Sequence, residues 1–186
     1  GDPTVEVDDA RGSIRGHLEA GAEKVINSSA FKIKDKSLSM PEDAATLIYG
    51  INHEAFDPDR HHLVSAASCT TTGLAHMVKP LLEDLQASIM TASMSTVHAT
   101  TNSQVVLDNV PKTNAKDMRR NRSVLNNIIL TSTNAAKALE QVIPEISEIG
   151  FMADSVRIPT STVSLIILNL TFQTRGMEVK LNRDVI

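Results

Sequence analysis

A strand that leads almost at once into a helix constrains this chain more than anything else in it. Leu63 to Ala66 is a short apolar segment, and the run Ser68-Cys69-Thr70-Thr71-Thr72-Gly73 follows within two residues. Leu74, Met77, Val78, Leu81, Leu82 and Leu85 then recur at the spacing of one helix face, which predicts a helix from about Cys69 to Leu85. A strand feeding an amphipathic helix is the building unit of chains that lay helices over a sheet. The rest of the pattern agrees. Residues 8 to 21 predict a helix with Ile14 and Leu18 on one side and Gly21 as its C-terminal stop. Glu23 to Asn27 and Ala45 to Ile51 read as short strands, joined by a polar, Lys-rich loop from Lys32 to Asp43.

Ser88 to Val97 reads as a long strand with His98 at its end. Residues 102 to 123 have little periodicity and carry the basic cluster Arg119, Arg120 and Arg122; a loop of that length is usually functional or mobile. A helix from about Asn134 to Val142 is expected, with Pro144 stopping it. Thr162 to Phe172 is strongly apolar and predicts a strand buried on both faces. Helices and strands alternate, so the expected fold class is α/β or α+β. The sequence has no internal repeat, no low-complexity segment, no G-x-G-x-x-G and no Walker lysine loop.

Composition narrows the function. A net charge of −4, 3% aromatic residues and no Trp argue against a nucleic-acid partner, which needs a basic footprint or stacking platforms. One cysteine makes no internal disulfide and suits a reducing cytoplasm. No apolar run approaches the roughly 20 residues of a membrane span. Gly1-Asp2-Pro3-Thr4 lacks Met, a basic flank and an apolar core, so it reads as neither a natural start nor a secretory signal.

The chemistry gathers around Cys69. A thiol at a helix N-terminus meets unpaired N–H groups and the positive end of the helix dipole, which favour an anion there, and the thiolate is the nucleophile. A lone cysteine is equally a small buried hydrophobe. His98, at a strand end and flanked by Thr96, Thr100, Thr101 and Ser103, is a candidate base; a structural histidine is the alternative. Three hydroxyl-rich runs, at 68–72, 100–103 and 131–134, can bind phosphate or carboxylate, or can simply cap helices and turns. Arg157, ahead of an apolar strand, calls for an anionic partner, whether a phosphate or a carboxylate of the chain itself. No metal-ligand set stands out.

These runs resemble a family. Ser65-Ala66-Ala67-Ser68-Cys69-Thr70-Thr71 is similar to the nucleophile segment of glyceraldehyde-3-phosphate dehydrogenases. Thr96-Val97-His98-Ala99-Thr100-Thr101, Asn127 to Thr133, Ala135-Ala136-Lys137-Ala138 and Arg157-Ile158-Pro159-Thr160 match in the same order. Gly50-Ile51-Asn52-His53-Glu54 resembles the strand and turn before the nucleophile, and the basic loop resembles the family's S-shaped loop.

The resemblance implies an α+β catalytic domain with a mixed sheet, over 67–186 and incomplete at its C-terminus. Before it stands the end of a Rossmann-type dinucleotide-binding domain, over 1–66. It implies Cys69 as the thiol that attacks an aldehyde, and His98 as its base. Ser68, Thr70, Thr133 and Asn134 would bind inorganic phosphate, and Thr101 and Arg157 the phosphate of the substrate. It further implies NAD or NADP in the complete enzyme, with no cofactor residues assigned in this chain, and a homo-oligomer, typically a tetramer. An erythrose-4-phosphate dehydrogenase type of activity, or a non-catalytic fragment or interaction module, are the alternatives. The family's pattern is altered at Thr72, where Asn is usual, at Ser103, where an acid is frequent, and at Asn134, where glycine is common.

Overall fold

The structure, a computed structural model, describes residues 1–5, 13–84, 88–115 and 117–173. In chain order it forms α1 (Gly16–Glu19), β1 (Val25–Asn27), β2 (Ala44–Thr46), β3 (Leu63–Ser65), α2 (Cys69–Asp84), β4 (Ser88–His98) and β5 (Ile129–Thr131). α3 (Ala135–Glu140), β6 (Gly150–Arg157) and β7 (Ser164–Gln173) complete it. Short 3-10 turns lie at His53–Ala55, Met118–Asn121 and Pro144–Glu148. One sheet is parallel and one is mixed, so the fold is of the expected α/β class. The chain divides into two compact units, Gly1–Pro80 with Lys137–Ile146, and Leu81–Ala136 with Ser147–Ile186.

The first unit is built on the parallel sheet β1-β3-β2. β3 is its middle strand, with Leu63 opposite both Val25 and Ala44, and Leu63 and Ser65 are buried. α1 ends as its sequence predicts. Gly21 takes φ 102, its N–H donates to Leu18 O, and Ala22 N–H donates to His17 O, the two bonds of a Schellman stop. The helix is shorter than expected, for Ser13 bridges to Asp2 and Ile14 and Arg15 form a turn before α1. The predicted start at residues 8 to 12 lies outside the described residues.

The Lys-rich loop is tied at both ends. Asp2, itself buried, accepts from Lys34 N–H at 2.9 Å, and Arg15 makes a two-pronged bond to Asp43 with both N···O distances 2.8 Å. Arg15 holds the Asp43 carboxyl below the usual carboxylate range, chiefly by hydrogen bonding. The strand expected over Ala45 to Ile51 shrinks to Ala44–Thr46. Asn52 ends it, accepting from Ile48 N–H at 2.8 Å and donating to Thr46 O at 2.9 Å, while Gly50 turns the chain at φ 78. In α2, Leu74 and Val78 are buried as the spacing predicted, joined by Ala75. Met77, expected on that face, is 41% exposed, Leu81 and Leu82 are half-buried, and Leu85 lies outside the described residues. Pro80 sits inside the helix, where it cannot donate to the carbonyl four residues back.

The second unit carries the sheet β5-β6-β4-β7. β4 pairs in parallel with β6 from Thr91↔Gly150 to His98↔Arg157, and antiparallel with β7 from Ser88↔Gln173 to His98↔Ser164. Ala92, Met94, Thr96 and His98 alternate onto the buried face of β4.

β7 corrects an expectation. It lies at a sheet edge and is not buried on both faces: Leu165 is 55% and Ile167 45% exposed, while Ile166, Leu168, Leu170 and Phe172 are half-buried. An edge strand of a sheet with one open face shows this alternation even when nearly every residue in it is apolar. α3 ends at Glu140, short of the expected Val142 and before Pro144 is reached, and Pro144 instead opens the next 3-10 turn, for its fixed φ suits a first helical position.

Candidate active site

β3 delivers Cys69 to the head of α2 through a strained turn. Ala67 takes φ 61, a left-handed conformation that costs a residue with a Cβ, and it is buried. Its N–H donates to Ser65 Oγ at 3.1 Å, and Ser65 Oγ donates in turn to Ser29 O at 2.9 Å. Ser68 then caps the helix: Thr71 N–H donates to Ser68 Oγ at 3.1 Å, and the Ser68 and Thr71 hydroxyls lie 2.7 Å apart. Cys69 is the first residue of α2 and is exposed, with Sγ 4.0 Å from Thr70 Oγ1. The first turn carries no acidic residue, so no side chain there offsets the dipole's positive end. The buried-hydrophobe reading of Cys69 is therefore excluded by its exposure.

The other predicted site residues, His98, Thr101, Thr133, Asn134 and Arg157, belong to the second unit. Two of them are brought together. His98 and Arg157 are register partners at the ends of β4 and β6, and Ile158 N–H donates to His98 O at 2.9 Å. Burial pushes the His98 pKa below its ordinary 6.5, and the Arg157 cation adds to that. His98 Nδ1 is hydrogen-bonded to Ser164 Oγ on β7.

Arg157 Nη1 donates to Ala99 O at 3.1 Å, but its Nε is buried with no partner, and no carboxylate pairs with it among the described residues. Arg157 is half-buried, and its unpartnered Nε is a donor that an anion from outside the chain can satisfy.

Thr101 is exposed; its N–H and hydroxyl both bond Gln104 Oε1 at 2.9 Å. Thr133 Oγ1 accepts from Ala135 N–H at 3.2 Å ahead of α3, and Asn134 is exposed beside it. Ser68 and Thr133 thus already perform the capping that was the alternative to anion binding. Ser164 was not singled out from the sequence, because one hydroxyl inside an apolar run gives no signal of what lies across the sheet from it.

Residues 68–183 match the family model described as glyceraldehyde 3-phosphate dehydrogenase, C-terminal domain. This chain belongs to that family. It is 43% identical over 151 residues to glyceraldehyde-3-phosphate dehydrogenase of Geobacillus stearothermophilus, an alignment covering 81% of this chain and 40% of that protein. It is 42% identical over 161 residues to the dehydrogenase of Kitasatospora aureofaciens, covering 86% and 43%. To glyceraldehyde-3-phosphate dehydrogenase 2 of Bacillus subtilis (strain 168) it is 40% identical over 165 residues, covering 89% and 44%. The chain thus spans less than half the length of these family members.

The family implies a nicotinamide cofactor, and among the described residues the strand-to-helix turns at β3–α2 and β5–α3 do not fit its phosphates. A dinucleotide's phosphates are cradled where a glycine-rich turn joins a strand to a helix. The turn from β3 to α2 holds Ala66, Ala67 and Ser68, and the turn from β5 to α3 holds Ser132, Thr133 and Asn134; neither contains a glycine. The first of these turns leads directly into Cys69. Among the described residues, no helix is long and apolar enough to cross a membrane.

Proposed function

We propose that the chain is the catalytic part of a phosphorylating aldehyde dehydrogenase acting on glyceraldehyde 3-phosphate, with residues 1–66 the end of its dinucleotide-binding domain and 67–186 its catalytic domain. The observation that carries this reading is Cys69, exposed at the head of a sixteen-residue helix with a serine cap and no acid in its first turn. Its sulfur bonds to the aldehyde carbon, and the proton passes to His98. A buried histidine held neutral beside an arginine suits that base role. Oxidation of the adduct to a thioester is the chemistry of the nicotinamide, NAD or NADP, which these residues do not cradle. Inorganic phosphate, held by Ser68, Thr70, Thr133 and Asn134, then releases the acyl group. Arg157, with its unpartnered Nε, and Thr101 take the phosphate of the substrate.

The test is turnover of the complete protein with Cys69→Ala. The variant should lose more than roughly 10³-fold in kcat; undiminished turnover would remove Cys69 as nucleophile. A second reading, that this chain by itself is non-catalytic, is favoured by the glycine-free strand-to-helix turns. Calorimetric titration of the 186-residue chain with NAD and NADP should show no binding at micromolar ligand.

We also propose a homo-oligomer, a tetramer by family resemblance. Leu130, Val156, Val97 and Leu165 form an apolar row across all four strands of the mixed sheet, with Ile167 and Met152 exposed on the same face. A second copy is the partner such a face suits. The lone cysteine places the protein, in this reading, in a reducing cytoplasm.

A further inference from the structure

His98 does not stand alone at the end of β4. Ser164 is its register partner on the antiparallel strand β7, and the Ser164 hydroxyl is hydrogen-bonded to His98 Nδ1. The backbone just before Ser164 is unusual. Val163 takes φ 79, a left-handed conformation that is a true outlier for a β-branched residue. Its side chain is 77% exposed, so little packing compensates the strain. What holds it is a main-chain bond: Ala99 N–H, one residue beyond His98, donates to Val163 O at 3.1 Å. The chain thus enters β7 through a strained residue pinned to the segment that carries His98. Strain kept at one point by surrounding structure is a feature of functional sites.

We propose that Ser164 is the positioning residue for His98: its hydroxyl oxygen accepts the Nδ1 proton and so fixes the ring tautomer in which Nε2 is the proton acceptor. Which ring nitrogen works is set by the bond that the other makes. The reason for a serine follows from charge. A carboxylate at this place would favour imidazolium and raise the affinity for the proton. A hydroxyl orients the ring while burial and the Arg157 cation keep it neutral and ready to take a proton. The Arg157 cation on β6 acts on the ring, and β7 places the uncharged Ser164 against it. The hydroxyl rotates and continues to accept from Nδ1–H after Nε2 has been protonated, when the bond becomes charge-assisted.

This inference rests on the dehydrogenase reading for its kinetic test, and has a structural test that does not. In the complete protein, Ser164→Ala should lower kcat about tenfold, the effect of one hydrogen bond, with KM for the aldehyde unchanged. It should also move the acidic limb of the pH profile to lower pH, since the imidazolium loses an acceptor. Ser164→Thr keeps the hydroxyl and should restore both. A Ser164→Ala profile that superimposes on the parent overturns the proposal, as does a fall in kcat that leaves the acidic limb in place and is not rescued by Thr. Failure of Cys69→Ala to impair turnover strikes the enzyme reading instead, and is read separately. Nitrogen-15 NMR of the unsubstituted protein decides the tautomer without any activity: an Nδ1–H signature for neutral His98 is expected, and an Nε2–H signature overturns the proposal.

Discussion

The two segments that carry the proposed nucleophile and the proposed base are built in opposite ways. Next to Cys69 the bonds that shape the chain are short in sequence, Thr71 to Ser68 spanning three residues and Ala67 to Ser65 two, with a longer tie from Ser65 to Ser29 O, 36 residues away. Around His98 they are long, with Ser164 66 residues away and the Arg157 bond to Ala99 spanning 58. Cys69 ends exposed and His98 buried. A nucleophile needs only a local turn that lifts it to a helix head. A base held neutral needs burial and a neighbouring cation, and these come from other strands. Both segments use a left-handed non-glycine residue, Ala67 at φ 61 and Val163 at φ 79. Ala67 is buried and folded into its own turn, whereas Val163 is exposed and fixed from across the sheet.

The sharpest way to break this contrast is Ala67→Val. A β-branched side chain would add strain in the left-handed region and crowd a buried position, for an expected loss of about 3 kcal/mol in denaturant unfolding. A loss below about 1 kcal/mol would mean the turn relaxes freely and is not a fixed elbow.

A smaller effect is expected at the cap. Ser68→Ala should cost about 1 kcal/mol, and Ser68→Gly only a few tenths, the ordering of N-cap residues. If glycine proves as damaging as alanine, the Ser68 side chain and backbone do something other than cap α2.

The smallest effect sharpens the His98 side. Its pKa is lowered below 6.5 in the folded state, by burial first and Arg157 second, so the unfolded chain binds the proton more readily. Stability referable to His98 is therefore fully present above 6.5 and falls as pH drops through that value toward the folded pKa. Urea unfolding across roughly pH 5 to 7 should show this slope, and His98→Asn should flatten it. A slope unchanged in the variant would assign it to other groups.

The fold was legible where side-chain periodicity was clean. The helix after Cys69, the long strand ending at His98 and the Gly21 stop follow from local pattern, and the structure has each of them. β6 was not legible. Its alternation places Ser155 and Arg157 on the same side as Phe151 and Ala153, so polar residues stand where a hydrophobic pattern would have announced a strand. β5 is only three residues long, too short to show a period. The burial of β7 was overstated for a related reason: a nearly all-apolar run looks the same at a sheet centre as at an edge, and only strand order separates the two. At the candidate site, Cys69, His98 and Arg157 were found by residue type and neighbours, while Ser164 could be found only through its register.

By itself, then, the sequence determined what neighbours within a few residues decide: a cysteine at the first position of a helix, the serine that caps it, and the class of fold. Those features depend on backbone bonds closed over two to four residues, which composition and spacing encode directly. The tertiary structure alone decided that β6 pairs beside β4 and β7 on its other side, and hence that His98 stands between Arg157 and Ser164. Partners brought together over such sequence separations are chosen by sheet order and register, on which local periodicity is silent.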